Sequence, residues 1–224
     1  MRRLTSALFA LGLAVVPVTA VAQDAEPQSV EEWVAAVEGT YEGVETLSAD
    51  FVQVTRSVAM GGETKQKGTV VLKKPRKMRW EFSGSDAKLF LTDGDRMSIY
   101  SPADKQVIVY DDLSGAGGTG MEDLLTDLNQ IDEHFDVAEV DTKKSKKTVG
   151  FELTPKSADV SFKSLRLTVQ RSDYVVEQVV IVDGFDNETE ITFSSVKLNP
   201  GADDASFVFD PPAGVEVIKP DEGA

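Results

Sequence analysis

Between Gly68 and Phe82 the chain reads GTVVLKKPRKMRWEF, two period-two stretches broken by a basic, proline-containing corner. Val70 and Leu72 fall on one face of the first stretch. Met78, Trp80 and Phe82 fall on one face of the second, with Arg79 and Glu81 opposite. Such alternation predicts strands with one apolar side and one solvated side. Similar stretches near 48–57, 66–73, 77–83, 87–92, 96–101 and 106–110 form a first group. A second group lies near 136–140, 148–154, 163–170, 174–182, 189–198 and 206–209. Leu165, Leu167 and Val169 make the cleanest alternation of the second group. Gly61-Gly62, Lys74-Pro75, Asp93-Gly94, Ser101-Pro102 and Asp183-Gly184 supply the turns, Asp93-Gly94 as a hairpin.

Helical spacing occurs in few places. Ser29 with Glu32 three residues on forms a capping box, and Val30, Trp33, Val34, Val37, Tyr41 and Val44 follow on one face. Met121, Leu124, Leu125 and Leu128 predict a short second helix, and 131–135 another turn. The helices do not alternate with the strands, so they are not crossovers of a parallel sheet. The expected fold is α+β, a large curved antiparallel sheet of about eleven strands covered by a lid of short helices.

Composition adjusts this picture at the N-terminus. Arg2 and Arg3, the apolar run 4–16 and Ala20-Val21-Ala22 read as a cleaved signal peptide over 1–22, leaving one domain over 23–224. An exported chain with no cysteine has no disulfide and no thiol for lipid attachment. The leader removes two basic and no acidic residues, so 21 basic face 38 acidic residues, a net charge of −17. That balance argues against nucleic-acid partners and anionic membrane surfaces.

Candidate chemistry is sparse. Gly115 to Gly120 matches G-x-G-x-x-G but has no βαβ unit around it, so a flexible hinge is the plainer reading. His134 is the single histidine, without ligand companions or a nucleophile elbow. Asp111-Asp112, Asp203-Asp204 and Glu188/Glu190 read as solvated surface, 143–147 as a polar turn, and Asn187-Glu188-Thr189 as a chance glycosylation match. No catalytic residue, metal or cofactor is expected. What remains is an apolar stripe, Met78, Trp80, Phe82, Leu89, Leu91, Met97 and Ile99, larger than a few short helices cover.

The order of these features resembles the LolA family of periplasmic outer-membrane lipoprotein carriers. The matching residues are Leu47, Phe51-x-Gln53, Gly68 to Leu72, Lys74-Pro75, Arg79-Trp80, Asp93-Gly94, Tyr100-Ser101-Pro102 and Gln106. Phe151-x-Leu153-x-Pro155 and Phe207-x-Phe209-x-Pro211-Pro212-x-Gly214-Val215 complete the set. The resemblance implies a half-barrel whose apolar face holds acyl chains. Val70, Leu72, Met78, Trp80, Phe82, Leu89, Leu91, Met97, Ile99, Leu165, Leu167 and Val169 would form its wall. Lys74, Met121, Leu124, Leu125 and Leu128 would form the lid and its contact. It also implies a monomer in the periplasm whose partners are acylated lipoproteins, an inner-membrane ABC transporter and an outer-membrane acceptor or the membrane itself.

The family commonly has arginine before the corner proline, where it bonds lid backbone groups. Lys74 keeps the charge without the planar fork. It either holds the lid more weakly or shares that work with Arg76 or Arg79. Two other readings stay open: a same-fold glycolipid carrier or envelope-stress sensor, and a secreted β-rich hydrolase.

Overall fold

Twelve strands form one sheet in the computed structural model, which describes residues 26–111, 128–141, 145–158 and 160–220. The proposed signal peptide, the glycine run and Met121, Leu124 and Leu125 lie outside the described residues. Helix α1, Val30–Tyr41, opens the described chain: Glu32 N–H donates to Ser29 Oγ at 3.3 Å, and Trp33, Val34, Val37 and Tyr41 form its buried stripe. Its other predicted member, Val44, lies beyond the last turn, after Gly43 at φ +71°.

Strands β1 (Thr46–Ser57), β2 (Gly62–Lys73), β3 (Lys77–Ser83), β4 (Lys88–Asp93), β5 (Met97–Ser101) and β6 (Gln106–Tyr110) make one antiparallel meander. Strands β7 (Phe135–Val140), β8 (Thr148–Pro155), β9 (Phe162–Gln170), β10 (Val176–Asp183) and β11 (Glu188–Leu198) make a second. The β1–β11 pairing joins the two meanders, and helix α2 (Ile131–His134) leads into β7. Side chains from β2–β3 and from β8–β9 belong to one continuous core, so the sheet curls around its apolar side.

The C-terminus departs from the expected strand near 206–209. Asp204–Phe207 is instead a 3-10 turn, capped by Asp203, whose carboxylate accepts from Ala205 N–H at 3.1 Å. A short strand not anticipated from sequence, β12 (Glu216–Ile218), runs parallel to β6 at the sheet edge. Its three residues are too few for alternation to be read.

The register divides the apolar residues between two faces. Directly paired residues of adjacent antiparallel strands share a face. Val70 pairs with Trp80 and Trp80 with Phe90, which pairs with Ile99; Leu72 pairs with Met78, then Thr92, then Met97. These residues line the inner face. Leu91 pairs with Arg79, and Leu89 with Glu81, so both point to the outer face. The expectation that Leu89 and Leu91 share a wall with Trp80 is therefore corrected. The run Leu89-Phe90-Leu91 is apolar at consecutive positions and carries no alternation to fix its parity, and a one-residue slip exchanges the faces.

The outer face at β4 has its own cover. Phe207 is 1% exposed, Leu91 2% and Val107 0%, and the 3-10 turn packs on β3 and β4. Tyr100 and Phe209 rings lie 5.1 Å apart. Asp204 ties the turn down by accepting from Lys73 and Lys77, each at 2.8 Å, while Arg79 donates to Ser206 O at 3.3 Å. These lysines hold the Asp204 carboxyl well down, at about 2.

Candidate functional site

The inner face holds two packed regions. Over β8–β10, α1 supplies the cover: Trp33 meets Phe151 at 6.1 Å and Tyr174 edge-on at 5.6 Å, with the Arg171 guanidinium 5.2 Å from its ring centroid. Tyr41 Oη accepts from Val176 N–H at 3.1 Å, which satisfies a buried backbone donor. Burial pushes the Tyr41 phenol up to about 12. α1 is bound to α2 through Glu38, whose carboxylate accepts from Asp132 N–H at 3.0 Å. Burial raises Glu38 above the usual carboxylate range, with the Asp132 charge acting in the same direction.

The second region, over β1–β4 and β11, is built from rings. Phe51 lies 4.7 Å from Trp80 and 5.1 Å from Phe82; Trp80 lies 6.2 Å from Phe193; Phe82 meets Phe90 at 5.8 Å. Gly68 makes this cluster possible. A Cβ there would stand 1.9 Å from the Glu81 carbonyl oxygen and 2.8 Å from Phe51 Cζ. Phe51, Phe90 and Phe193 were not singled out from sequence as wall residues. The signal that finds them is the pairing Phe51 with Phe193 across β1–β11 and Trp80 with Phe90 across β3–β4.

Leu165, Leu167 and Val169 fall on the inner face of β9, each at most 2% exposed, paired with Ile181, Val179 and Val176. They join the core that α1 covers, one region over from the ring cluster. Leu128 is 1% exposed and belongs to the same core. Lys74 reaches the segment beside it: Lys74 Nζ donates to Asn129 Oδ1 at 3.3 Å, and Lys74 N–H donates to Glu45 O at 2.9 Å. Arg79 does not share this contact, because its guanidinium pairs with Glu81 on the outer face; Arg76 is exposed.

The polar candidates have structural partners. Arg56 and Arg166 bridge Glu188 and Glu190 on the outer face of the sheet. Asn187 accepts from Val58 N–H at 2.9 Å and donates to Asp183, tying two hairpin tips together. His134 is exposed and closes α2. Lys143 and Lys144 lie outside the described residues, while Lys147 N–H donates to Ser145 Oγ in a local turn. Among the described residues no group of three or more acidic, histidine or cysteine side chains is placed to hold a metal ion. No described helix is long and apolar enough to cross a membrane.

Comparison with known proteins agrees with this architecture. The family model described as outer membrane lipoprotein carrier protein LolA matches residues 42–210. An outer-membrane lipoprotein carrier protein of Pseudomonas aeruginosa is 30% identical over 217 residues, 97% of this chain and 99% of that one. One from Dechloromonas aromatica is 30% identical, covering 77% and 81% of the two chains. In fold, the chain is similar to an uncharacterised conserved protein of Thermus thermophilus, with TM-score 0.52, 14% identity and coverage of 86% and 100%. The curled antiparallel sheet, its aromatic inner face and the near full-length matches lead to one assignment: the chain belongs to the LolA family of outer-membrane lipoprotein carrier proteins.

Proposed function

We propose that this protein carries lipoproteins through the periplasm by enclosing their acyl chains against the inner face of its sheet. It receives them from an inner-membrane ABC transporter and delivers them to an outer-membrane acceptor or to the membrane itself. The observation that carries this reading is the ring cluster of Phe51, Trp80, Phe82 and Phe193, which lines the inner face with apolar rings. Each acyl methylene removed from water contributes about 0.8 kcal/mol, so an acylated protein crosses an aqueous space only under cover.

The cover must also open. α1 is anchored over β8–β10 through Tyr41 and Trp33, whereas Lys74 makes one described side-chain contact with the segment entering α2. A single ammonium–amide bond is a weaker hold than a multidentate arginine grip and suits a cover that is released at each delivery. The wall in this reading comprises Val70, Leu72, Met78, Trp80, Phe82, Met97 and Ile99 with Phe51, Phe90 and Phe193; Leu89 and Leu91 are excluded. Leu165, Leu167 and Val169 form the neighbouring part of the same core, beneath α1. The protein does no covalent chemistry on its cargo.

The test is release of a radiolabelled lipoprotein from inner-membrane vesicles that contain the transporter. Appearance of a soluble one-to-one complex with this protein is expected. Extraction of free lipid alone would favour a glycolipid carrier, and no extraction of either would refute the proposal.

A further inference from the structure

Trp80 carries a polar atom that the ring cluster does not use. Its side chain lies in the core, 6% exposed, yet Nε1 is buried and has no hydrogen-bond partner among the described residues. Its ring neighbours are Phe51, Phe82 and Phe193, and its cross-strand partners are Val70 and Phe90. None of these side chains offers an acceptor. Arg79 and Glu81, adjacent in the chain, point away and pair with each other on the outer face. Buried donors in folded proteins are almost always satisfied, and one left unpaired disfavours the state that contains it. A phenylalanine would fill an apolar wall here without that penalty.

We propose that the Trp80 indole N–H donates to an acyl carbonyl, the ester or amide oxygen at the head of a bound acyl chain. This rests on the carrier reading and specifies the polar group recognised within that site. The chemistry of the surroundings selects the acceptor. A neutral donor among apolar rings suits a neutral carbonyl oxygen. A free fatty-acid carboxylate would lie desolvated with no cation from the ring cluster beside it. A dialkyl ether one carbon shorter per chain offers the same methylenes without the carbonyl. The site therefore measures where a chain begins as well as how much apolar surface it has.

The experiment compares a synthetic lipopeptide bearing a dipalmitoylglyceryl cysteine with its dipentadecyl ether counterpart, which has the same number of methylenes. An N-palmitoyl version of each separates amide from ester. Binding is measured by calorimetry, and the two indole N–H signals of the isotopically labelled protein are followed by NMR, assigned with Trp80→Phe. Trp33, in the other packed region, is the internal control. The ester is expected to bind about fivefold more tightly than the ether, the ratio that corresponds to ~1 kcal/mol. The Trp80 indole proton is expected to move downfield with carbonyl-bearing probes and not with the plain ether. A downfield shift only with the N-palmitoyl versions would assign the amide. Trp80→Phe should erase the preference, so that the two probes bind alike. Equal binding of ester, amide and ether by wild type, with an unmoved Trp80 signal, would overturn the inference while leaving the carrier reading intact. Binding of none of the probes would overturn both. The NMR arm uses wild-type protein, so the inference is decided even if Trp80→Phe fails to fold.

Discussion

Gly68→Ala should damage the ring cluster more than any other single-methyl change. Gly68 sits on β2 opposite Phe51 of β1 and Phe82 of β3. An added Cβ would stand 1.9 Å from Glu81 O, where ordinary contact starts at 3.4 Å, and 2.8 Å from Phe51 Cζ. Relief requires β3 to withdraw by about 1.5 Å, because the obstructing atom is backbone and has no rotamer to change. That movement would strain the β2–β3 ladder and displace Phe51 from the ring at 4.7 Å. Overpacking costs about 1–3 kcal/mol where side chains can yield; against backbone the upper end or more is expected, about 3 kcal/mol. In a chain of this size that lowers Tm by roughly 6–12 °C. Urea unfolding followed by tryptophan fluorescence measures the loss at equilibrium. A change below about 1 kcal/mol would refute the claim that β3 and Phe51 close on Gly68.

Four further outcomes follow from the same contacts. Tyr41→Phe leaves the buried Val176 N–H without its acceptor and should cost about 1–3 kcal/mol in urea unfolding, an unchanged midpoint refuting the bond. Leu91→Ala empties part of the outer-face core and should cost about 2–5 kcal/mol, yet leave acyl-probe affinity per folded molecule unchanged; lost affinity would return Leu91 to the inner wall. Asp204 has a carboxyl lowered to about 2 in the folded chain, so its contribution is complete above the unfolded value near 4 and disappears as pH falls toward 2. The stability difference between wild type and Asp204→Asn should follow that window, and a difference that persists at the acid end would contradict it. Lys74→Met keeps the aliphatic stem and removes the bond to Asn129, so amide exchange over 128–131 should quicken; unchanged exchange would place the hold elsewhere.

The sheet was legible in the sequence because most of its strands bury one face only. β3 and β9 alternate cleanly, and their inner residues could be read directly. β4 could not be read that way. Phe90 faces the ring cluster while Leu89 and Leu91 face Phe207, so both of its sides are apolar and only the pairing with β3 fixes which is which. The outer cover is a long-range event, a segment more than 100 residues away folding back onto β3 and β4, and local periodicity carries no trace of it. Phe207 looked like a strand residue because a 3-10 turn of four residues has no period of its own. Lys74 was legible as a corner residue, but its contact with Asn129 was not, since hydrogen-bond partners 55 residues apart leave no pattern. The roles of Phe51 and Phe193 emerged only once β1 was seen to join the two meanders.

The central claim is that cargo acyl chains lie on the ring-lined inner face. Photo-crosslinking tests it most directly, with a lipoprotein whose acyl chains carry a diazirine, captured in the soluble complex and mapped by mass spectrometry. The account predicts adducts at Phe51, Trp80, Phe82, Phe90 and Phe193, all on the inner face. Adducts concentrated at Leu89, Leu91, Val107 or Phe207 would place the chains in the outer-face core and contradict it.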